Sequence, residues 1–337
     1  MSRPWTLDVA VGKYLMRRKL ARKKRFPLVT MIEPLERCNL ACVGCGRIRE
    51  YRDAMDRTLS VDECMDAVHA SGAPIVSLSG GEPLLHPQIG DIVRAVRETG
   101  RFIYLCTNGL LLESMLDTFS PTPELCFVVH LDGTRDLHDA ITHHAGTFDA
   151  AVSAIQAALS RGYRVCTNTT LFHGTDVGDV HQLFRFLTEL GVEGLMVSPG
   201  YAYEDVPHQE LFYQRRESID VFRRVLDPSM GFAFYNNPLY LDFLRGDRTY
   251  DCAAWTTVTY TVLGWRLPCY AIADRHVEDV EELYADALWE RYGPGRDKRC
   301  ANCMMHSSFE GASILHALRH PRALARLARG TRGGRSR

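Results

Sequence analysis

Three closely spaced cysteines are the residues of this 337-residue chain with the clearest chemical potential. Cys38, Cys42 and Cys45 form a C-x3-C-x2-C pattern directly after an apolar run over 28–32. Three thiolates on one short loop can bind three irons of a cubic [4Fe–4S] cluster and leave the fourth iron open to a substrate. A structural zinc site would need four ligands, and no fourth Cys or His is near them in the sequence. The pattern therefore predicts an iron–sulfur cluster.

A glycine pair followed by an acidic residue ends the next apolar run. Gly80, Gly81, Glu82 and Pro83 follow the run over 74–79, about 35 residues after the three cysteines. Paired glycines allow backbone N–H and C=O groups to approach a ligand closely. Glu82 supplies an acceptor for an ammonium group. Together with the cysteines, this segment predicts a ligand site beside the cluster.

Strand-like and helix-like segments alternate from residue 28 to about 230. Apolar runs predict strands at 28–34, 74–79, 101–106, 125–131, 163–169 and 193–198, with helices between them. Six β-α units with short connections predict an α/β fold whose parallel sheet curls into a partial (β/α)6 TIM-like barrel. The cysteine loop follows the first strand, so we expect it at the C-terminal edge of the sheet, where such barrels hold their chemistry.

Beyond about residue 231 the regular alternation of predicted strands and helices stops. This change predicts a smaller, cysteine-containing C-terminal region. An aromatic stretch over 259–267 predicts a β-hairpin that turns at Gly264. The expected organisation is a basic N-terminal segment over 1–27, the barrel over 28–230, a substrate- and cysteine-rich region over 231–320, and a basic tail over 321–337.

The composition is that of an ordinary globular protein, with 46% hydrophobic and 24% charged residues. No apolar run approaches the roughly 18 residues that a membrane-spanning helix needs, and charges interrupt the N-terminal segment where a signal peptide would be apolar. Eleven cysteines in such a chain indicate metal ligands and free thiols, not disulfides. We therefore expect a cytoplasmic protein.

Both ends of the chain are strongly basic, although the net charge is −1. Residues 1–26 contain nine Lys or Arg against one Asp, and Leu7, Val11, Tyr14 and Leu15 recur at helical spacing. A basic amphipathic helix of this kind favours peripheral contact with the anionic inner face of the cytoplasmic membrane. A solvated helix is the alternative. Nucleic acid is not expected as a partner, because no recognition motif accompanies the charge.

Four further cysteines, Cys252, Cys269, Cys300 and Cys303, lie in the C-terminal region. Cys300 and Cys303 form a C-x2-C pair of the kind that ligates metals, and His306 is a further candidate ligand. The sequence leaves three alternatives for this possible second metal site. It holds an auxiliary cluster, it holds zinc, or the four residues are plain thiols.

Longer motifs around these residues resemble a known family. The cysteine loop and the Gly-Gly-Glu-Pro segment together are similar to the signature of the radical S-adenosylmethionine (SAM) superfamily. Within this superfamily, the chain resembles the adenosyl-hopene transferases of bacterial hopanoid biosynthesis. Gly44, where many superfamily members have an aromatic residue, agrees with this subfamily, whereas Ser307 stands where its pattern has a further cysteine. The similar runs extend over 37–46, 80–87, 104–108, 130–133, 167–172, 198–204, 238–244, 264–270 and 291–296.

The resemblance implies the barrel of the radical SAM type, a [4Fe–4S] cluster held by the three-cysteine loop, and SAM as co-substrate. It implies that the Gly-Gly-Glu-Pro segment binds the methionine part of SAM. Asn108, Asp132 and Asn168 follow later strands, and we expect them to be SAM neighbours as well. For each of these three residues, a helix N-cap is the alternative.

The family that the chain resembles cleaves SAM reductively, and the 5′-deoxyadenosyl radical adds to the terminal alkene of a hopene (diploptene) to give adenosylhopane. The implied partners are a polycyclic triterpene substrate and a flavodoxin or ferredoxin as electron donor. The alternative is a radical SAM enzyme that abstracts hydrogen from a peptide or another small molecule. The Gly-Gly-Glu-Pro segment argues against a third reading, an iron–sulfur electron carrier. Aromatic candidates for the walls of a triterpene pocket are Tyr201, Tyr203, Phe234, Tyr235, Tyr240, Phe243, Trp255 and Trp265.

Cys106 ends the third predicted strand, two residues before Asn108, and should face the barrel mouth. Addition of a radical to an alkene leaves a carbon radical that needs one hydrogen atom. An S–H bond is weaker than the C–H bond that forms, so a nearby thiol can donate this atom. We predict that Cys106 is the catalytic donor. A buried strand cysteine is the alternative.

Overall fold

The computed structural model describes residues 4–330, which fold around one nine-stranded sheet. The strands are β1 (Val29–Ile32), β2 (Ile75–Leu78), β3 (Phe102–Thr107), β4 (Leu125–His130), β5 (Arg164–Leu171), β6 (Leu195–Pro199), β7 (Thr257–Thr261), β8 (Gly264–Pro268) and β9 (Ala273–Val277). The helices are α1 (Trp5–Leu20), α2 (Arg47–Glu50), α3 (Val61–Ser71), α4 (Ile89–Glu98), α5 (Leu112–Met115), α6 (Arg135–Thr142), α7 (Thr147–Ser160), α8 (Val177–Leu190), α9 (Arg215–Val225), α10 (Pro238–Leu244), α11 (Asp286–Arg291), α12 (His306–Ala317) and α13 (Pro321–Gly330).

The strand order gives a parallel barrel wall with an antiparallel extension. The order is β6-β5-β4-β3-β2-β1-β7-β8-β9, and every pairing from β6 to β7 is parallel. Helices α3, α4, α7 and α8 pack on one face of this wall and share its main hydrophobic core. The predicted α/β fold with a partial TIM-like barrel is confirmed. Because all parallel strands point the same way, the loops after β1 to β5 meet at one edge.

The predicted hairpin over 259–267 is present and belongs to the barrel sheet. β7 and β8 are antiparallel, with Tyr260 opposite Trp265, while β7 pairs in parallel with β1, Val29 facing Thr257. Without β7, β1 would be an edge strand with open backbone N–H and C=O groups. The C-terminal region therefore contributes three strands to the sheet of the barrel.

Alternate residues of the central strands face opposite sides of the sheet. Ile103 and Leu105 of β3 join the main core under the outer helices. Tyr104 and Cys106 instead contact a separate inner cluster around Val128. Cys106 therefore lies on the inner wall of the barrel.

Local sequence signals predicted most of the helices. The helix bounds differ from the prediction near some connecting segments. A capping box begins α3, in which the hydroxyl of Ser60 accepts from the N–H of Glu63 (3.2 Å) and the Glu63 carboxylate accepts from the N–H of Ser60 (2.7 Å). The helix that follows the sixth strand begins only at Arg215, and the segment before Tyr292 is divided into a 3-10 turn (Val280–Tyr284) and α11. No pattern predicted α6, a short helix in the connection after β4.

The N-terminal helix α1 packs its predicted apolar face on the rest of the protein. Leu7 is buried. Tyr14 donates a hydrogen bond to the carbonyl of Pro27 (2.6 Å) and meets the ring of Phe26 edge-on. The predicted helix is therefore present, with its strongest apolar positions turned inward.

The C-terminal helix α13 occupies the first part of the expected basic tail. It packs through the buried Ala323 against α10 and α12. The rest of that tail, residues 331–337, lies outside the part of the chain that the structure describes. Among residues 4–330, no helix is long and apolar enough to cross a bilayer.

Candidate active site

The three-cysteine loop follows β1 at the carboxyl edge of the sheet. The sulfur of Cys38 accepts a hydrogen bond from the N–H of Leu40 (3.4 Å), and the amide nitrogen of Asn108 lies 3.9 Å from it. Burial raises the pKa of Cys38 to about 11, and burial followed by repulsion from Cys45 raises the pKa of Cys42. Bound cations would remove this cost of ionising neighbouring thiols. Among the described residues, no group of three or more His, Cys, Asp or Glu side chains is arranged to hold a single metal ion.

The Gly-Gly-Glu-Pro segment after β2 is joined to the cysteine loop by backbone hydrogen bonds. The N–H of Gly81 donates to the carbonyl of Leu35 (3.1 Å), and the N–H of Glu82 donates to that of Arg37 (2.9 Å). A Cβ atom at Gly80 would lie 2.2 Å from the Leu35 carbonyl oxygen, and one at Gly81 would lie 2.2 Å from that of Arg37. The two loops can therefore pack together only with glycine at both positions.

Glu82 is buried between this segment and β3, with 1% of its surface exposed. Its carboxylate accepts hydrogen bonds from the N–H of Leu84 (3.1 Å), the hydroxyl of Thr107 (2.8 Å) and the N–H of Asn108 (2.8 Å). Burial raises its pKa to about 7, against the lowering effect of these hydrogen bonds. The carboxyl group thus fixes the loop to the end of β3, and a ligand's ammonium group would favour its charged form.

Asp132 and Asn168 flank a histidine at the carboxyl ends of β4 and β5. Asp132 accepts hydrogen bonds from Nε2 of His130 (2.6 Å) and from the N–H of Thr170 (2.7 Å). Nδ2 of Asn168 lies 3.4 Å from Nδ1 of His130. Burial lowers the pKa of His130, but attraction to Asp132 outweighs burial and the net pKa is raised. Sequence reasoning missed His130, although it stands in the same strand-end run as Asp132.

A cavity of about 1850 Å³ connects these groups. It continues past the inner wall of the barrel to α1, which lines it together with Leu28 and Val29 at the amino end of β1. Unlike the other predicted SAM neighbours, Pro83 does not line the cavity, because it is buried in a 3-10 turn behind the loop. The predicted site residues that line the carboxyl end of the cavity are Cys38, Cys42, Cys45, Gly80, Gly81, Glu82, Asn108, Asp132 and Asn168.

Cys106 lines the same cavity, below this polar rim. Its sulfur lies 3.5 Å from the hydroxyl of Ser77 on the neighbouring strand. Burial raises the pKa of the Cys106 thiol to about 11, so the sulfur keeps its proton at neutral pH.

Only some of the aromatic residues expected as pocket walls face the cavity. Tyr201, Tyr203, Phe234 and Tyr235 line it. The expectation is wrong for Tyr240, Phe243 and Trp265, which belong to the main core, and for Trp255, which packs on Trp289. Strand and helix periodicity did not distinguish a cavity wall from the core, because both bury aromatic rings.

A buried charge network beside the cysteine loop was not predicted. Nε of Arg47 lies 3.3 Å from a carboxylate oxygen of Glu33, and Glu50 is shared by Arg47 (3.2 Å) and Arg266 (3.0 Å). Burial, followed by repulsion from Glu33, raises the pKa of Glu36 to about 9. The sequence feature that could have indicated this network is the pair of acidic residues, Glu33 and Glu36, directly after the buried β1 strand.

Two family models match successive parts of the chain. Residues 195–327 match a domain of unknown function (DUF3463). Residues 32–187, which contain the cysteine loop, the Gly-Gly-Glu-Pro segment and the strands β2 to β5, match the radical SAM superfamily. Residues 32–187 are therefore similar in sequence to radical SAM enzymes.

Relatives of known activity match about half of the chain. The chain is 30% identical to Fe-coproporphyrin III synthase of Methanosarcina barkeri, over 45% of this chain and 39% of the relative. It is 29% identical to the PqqA peptide cyclase of Ruegeria pomeroyi, over 51% of this chain and 47% of the relative. The chain thus spans less than half the length of these curated relatives.

A solved structure extends the likeness in fold beyond the radical SAM part. Streptococcus suis SuiB bound to the precursor peptide SuiA superposes with a TM-score of 0.67 and 16% sequence identity. The match covers 92% of this chain and 76% of SuiB. At this identity the likeness shows a shared fold.

The cofactors of the radical SAM domain are a [4Fe–4S] cluster and SAM. The residues present fit the cluster, because Cys38, Cys42 and Cys45 lie on one loop and line the same end of the cavity. When bound, the cluster supplies the electron that cleaves SAM. We continue to predict that the Gly-Gly-Glu-Pro segment, Asn108, Asp132 and Asn168 are the SAM neighbours.

We predict that Cys42→Ala and Glu82→Ala fail at different steps. Cys42→Ala should lose the iron held by this loop and form no 5′-deoxyadenosine, because it removes a ligand of that cluster. Glu82→Ala should keep its iron but bind SAM about 10- to 100-fold more weakly, because a charge-assisted hydrogen bond is worth roughly 1.5–3 kcal/mol. Iron content, SAM binding and chromatography of 5′-deoxyadenosine measure these effects. Normal 5′-deoxyadenosine formation by Cys42→Ala would contradict the cluster assignment.

Proposed function

We propose that this radical SAM enzyme adds the 5′-deoxyadenosyl radical to the alkene of a hopene (diploptene) and forms adenosylhopane. The observation that supports it best is the protonated thiol of Cys106 on the wall of the cavity that the predicted SAM neighbours line. A saturated addition product requires a hydrogen-atom donor. A reaction that only abstracts hydrogen from its substrate has no such requirement.

The cavity suits a large, rigid hydrocarbon. Its volume of about 1850 Å³ exceeds the roughly 300–1,000 Å³ of ordinary ligand pockets. Met31, Val128, Met196, Phe234 and Tyr235 line it below the polar rim. Apolar burial is worth about 25 cal/mol per Å², so a pentacyclic triterpene would bind by area and shape. The polar rim then remains for SAM.

In the proposed reaction, Cys106 completes the addition. C5′ of the radical forms a bond to the terminal alkene carbon, the π bond breaks, and the unpaired electron moves to the tertiary carbon. The S–H group of Cys106 gives a hydrogen atom to that carbon and becomes a thiyl radical. One electron and one proton restore the thiol. We propose that a flavodoxin or ferredoxin supplies this electron and the one that cleaves SAM.

A hydrogen-abstracting enzyme that acts on a peptide or another small molecule is the second candidate. Two findings favour it, the similarity to a PqqA peptide cyclase and the shared fold with SuiB, whose solved structure contains a precursor peptide. Such an enzyme would release free 5′-deoxyadenosine. A peptide would also bring backbone N–H and C=O groups into the cavity that need hydrogen-bond partners there.

We further propose that α1 and α13 dock the enzyme on a membrane that holds the lipid substrate. On α1 the exposed large apolar residues recur at positions i, i+4, i+11 and i+15, which is the spacing of one helix face. All of the exposed large apolar residues of the two helices except Leu20 also line the cavity. These exposed residues are Trp5, Val9, Met16 and Leu20 on α1 and Leu324 on α13.

The charge around this face suits an anionic bilayer. Lys13 and Lys19 are exposed and flank the apolar face of α1, and Arg322 and Arg326 are exposed on α13. Apolar side chains bordered by Lys and Arg are typical of helices that lie in the membrane interface. This face differs from the one that the sequence predicted, because the predicted residues pack inward.

We predict that reconstituted enzyme, given SAM, a reductant and diploptene, forms a covalent adenosyl–triterpene adduct. Mass spectrometry should detect about one adduct for each SAM cleaved, because the radical adds to the alkene and is not released. Hopane, which has the same rings without the alkene, is the matched control and should give no adduct. Free 5′-deoxyadenosine without adduct from diploptene would reject the addition reaction and favour the second candidate.

We predict that Cys106→Ala still cleaves SAM, within about twofold of the wild-type rate, but forms at least tenfold less saturated adduct. The reason is that the carbon radical loses its hydrogen donor, and a barrier higher by ~1.4 kcal/mol already gives this factor. Cys126→Ala is the matched control, because Cys126 belongs to the same inner cluster. Normal amounts of saturated adduct from Cys106→Ala would show that another group is the donor.

We predict that the combined variant Trp5→Ser, Met16→Ser and Leu20→Ser binds phosphatidylglycerol vesicles about tenfold more weakly than the wild type, because it removes apolar area that would enter the bilayer. Cosedimentation measures this binding, which should also weaken with salt. Leu263→Ser, at an exposed turn between β7 and β8, is the matched control. Equal binding by the triple variant and the wild type at low salt would reject the docking face.

A further inference from the structure

Folding brings four cysteines of the C-terminal region together. Cys252 precedes a 3-10 turn, Cys269 follows β8, and Cys300 and Cys303 lie in the segment before α12. All four thiols are free. Cys269, Cys300 and Cys303 pack in one cluster of side chains, and Cys252 packs with Cys269 in a second one. Three segments that are distant in the sequence therefore converge on one cluster of sulfurs.

Aromatic and apolar side chains enclose these sulfurs. Tyr201 and Met305 pack against them on one side, and Trp289 and Tyr292 pack around Cys252 and Cys269. Cys300 is buried, and Cys252, Cys269 and Cys303 are partly buried. A hydrophobic shell of this kind limits the access of solvent to a metal site.

The Cys300–Cys303 pair forms a tight turn, in which the N–H of Cys303 donates a hydrogen bond to the carbonyl of Cys300 (3.2 Å). The first cysteine loop has the same turn, in which the N–H of Cys45 donates to the carbonyl of Cys42 (3.2 Å). Both pairs have the C-x2-C spacing of metal-ligating loops. The two cysteine groups therefore share a local backbone geometry.

We propose that Cys252, Cys269, Cys300 and Cys303 hold a second [4Fe–4S] cluster. Zinc, with Zn–S bonds of about 2.3 Å, needs sulfurs about 3.8 Å apart. Among the described residues, no group of three or more His, Cys, Asp or Glu side chains is arranged to hold a single metal ion, either at these four cysteines or at the cysteine loop of the radical SAM domain. A cube with one iron for each thiolate holds its sulfurs farther apart. With four protein ligands it leaves no open iron, so this second cluster does not bind SAM.

A buried arginine contacts the segment that contains Cys269. Nε of Arg266 donates a hydrogen bond to the carbonyl of Cys269 (3.2 Å). A [4Fe–4S] cube with four thiolates has a net charge of about −2 in its oxidised resting form. The cluster would also cross-link the three segments of the C-terminal region.

The test is the iron and sulfide content of protein reconstituted anaerobically. We expect about eight irons and eight sulfides per wild-type chain, since each cube contributes four. The variant in which Cys38, Cys42 and Cys45 are all alanine should keep about four of each. After reduction it should show the EPR signal of a [4Fe–4S] cluster, although it cannot cleave SAM.

Complementary variants complete this test. Cys300→Ala combined with Cys303→Ala should lose about four irons and keep the other four, whereas the control Cys64→Ala should keep all eight. If the triple alanine variant of the first loop folds, by circular dichroism, but binds no iron or binds zinc instead, the proposal is wrong. Because metal content needs no substrate, this result is independent of the proposed alkene addition.

Discussion

Two buried guanidinium groups, those of Arg47 and Arg266, are the constraint on which the site depends. Their exposed fractions are 4% and 0%, and Glu33 and Glu50 are the carboxylates beside them. Burial of each charge costs several kcal/mol, which only well-placed partners offset. Loss of one partner would leave an uncompensated charge and cost about 3–5 kcal/mol. The network therefore forms as a unit or not at all.

This network joins parts of the chain that are far apart in sequence. Arg47 donates a hydrogen bond to the carbonyl of Tyr270 (2.5 Å), 223 residues away, and its guanidinium lies 4.4 Å from the Tyr270 ring centre. Arg266 donates to the hydroxyl of Tyr51 (2.8 Å). Glu36, with its pKa near 9, stays protonated at neutral pH and adds no surplus negative charge. The first cysteine loop and the segment that contains Cys269 are thereby held in one arrangement.

Local sequence patterns were sufficient to predict the barrel, because parallel β-α units bring all strand ends to one edge. They also predicted the position of Cys106, which the alternation of side chains along β3 places on the inner wall. They could not predict that Thr107 donates to Glu82 across 25 residues or that Arg266 meets Glu50 across 216. Such contacts follow from tertiary packing, which cannot be read from the periodicity of apolar residues along the sequence. For the same reason the pairing of β7 with β1 was not foreseen.

The cavity is continuous from the polar rim at the strand ends to the apolar face of α1. A reaction that joins a nucleoside to a hydrocarbon inside it produces one amphiphile, with each end in a different environment. To leave, the nucleoside must cross the apolar wall or the hydrocarbon must cross the polar rim, and either route is unfavourable. Product dissociation would then limit turnover. A bilayer that accepts the hydrocarbon end as it emerges would make the enzyme faster on a membrane than in detergent-free solution.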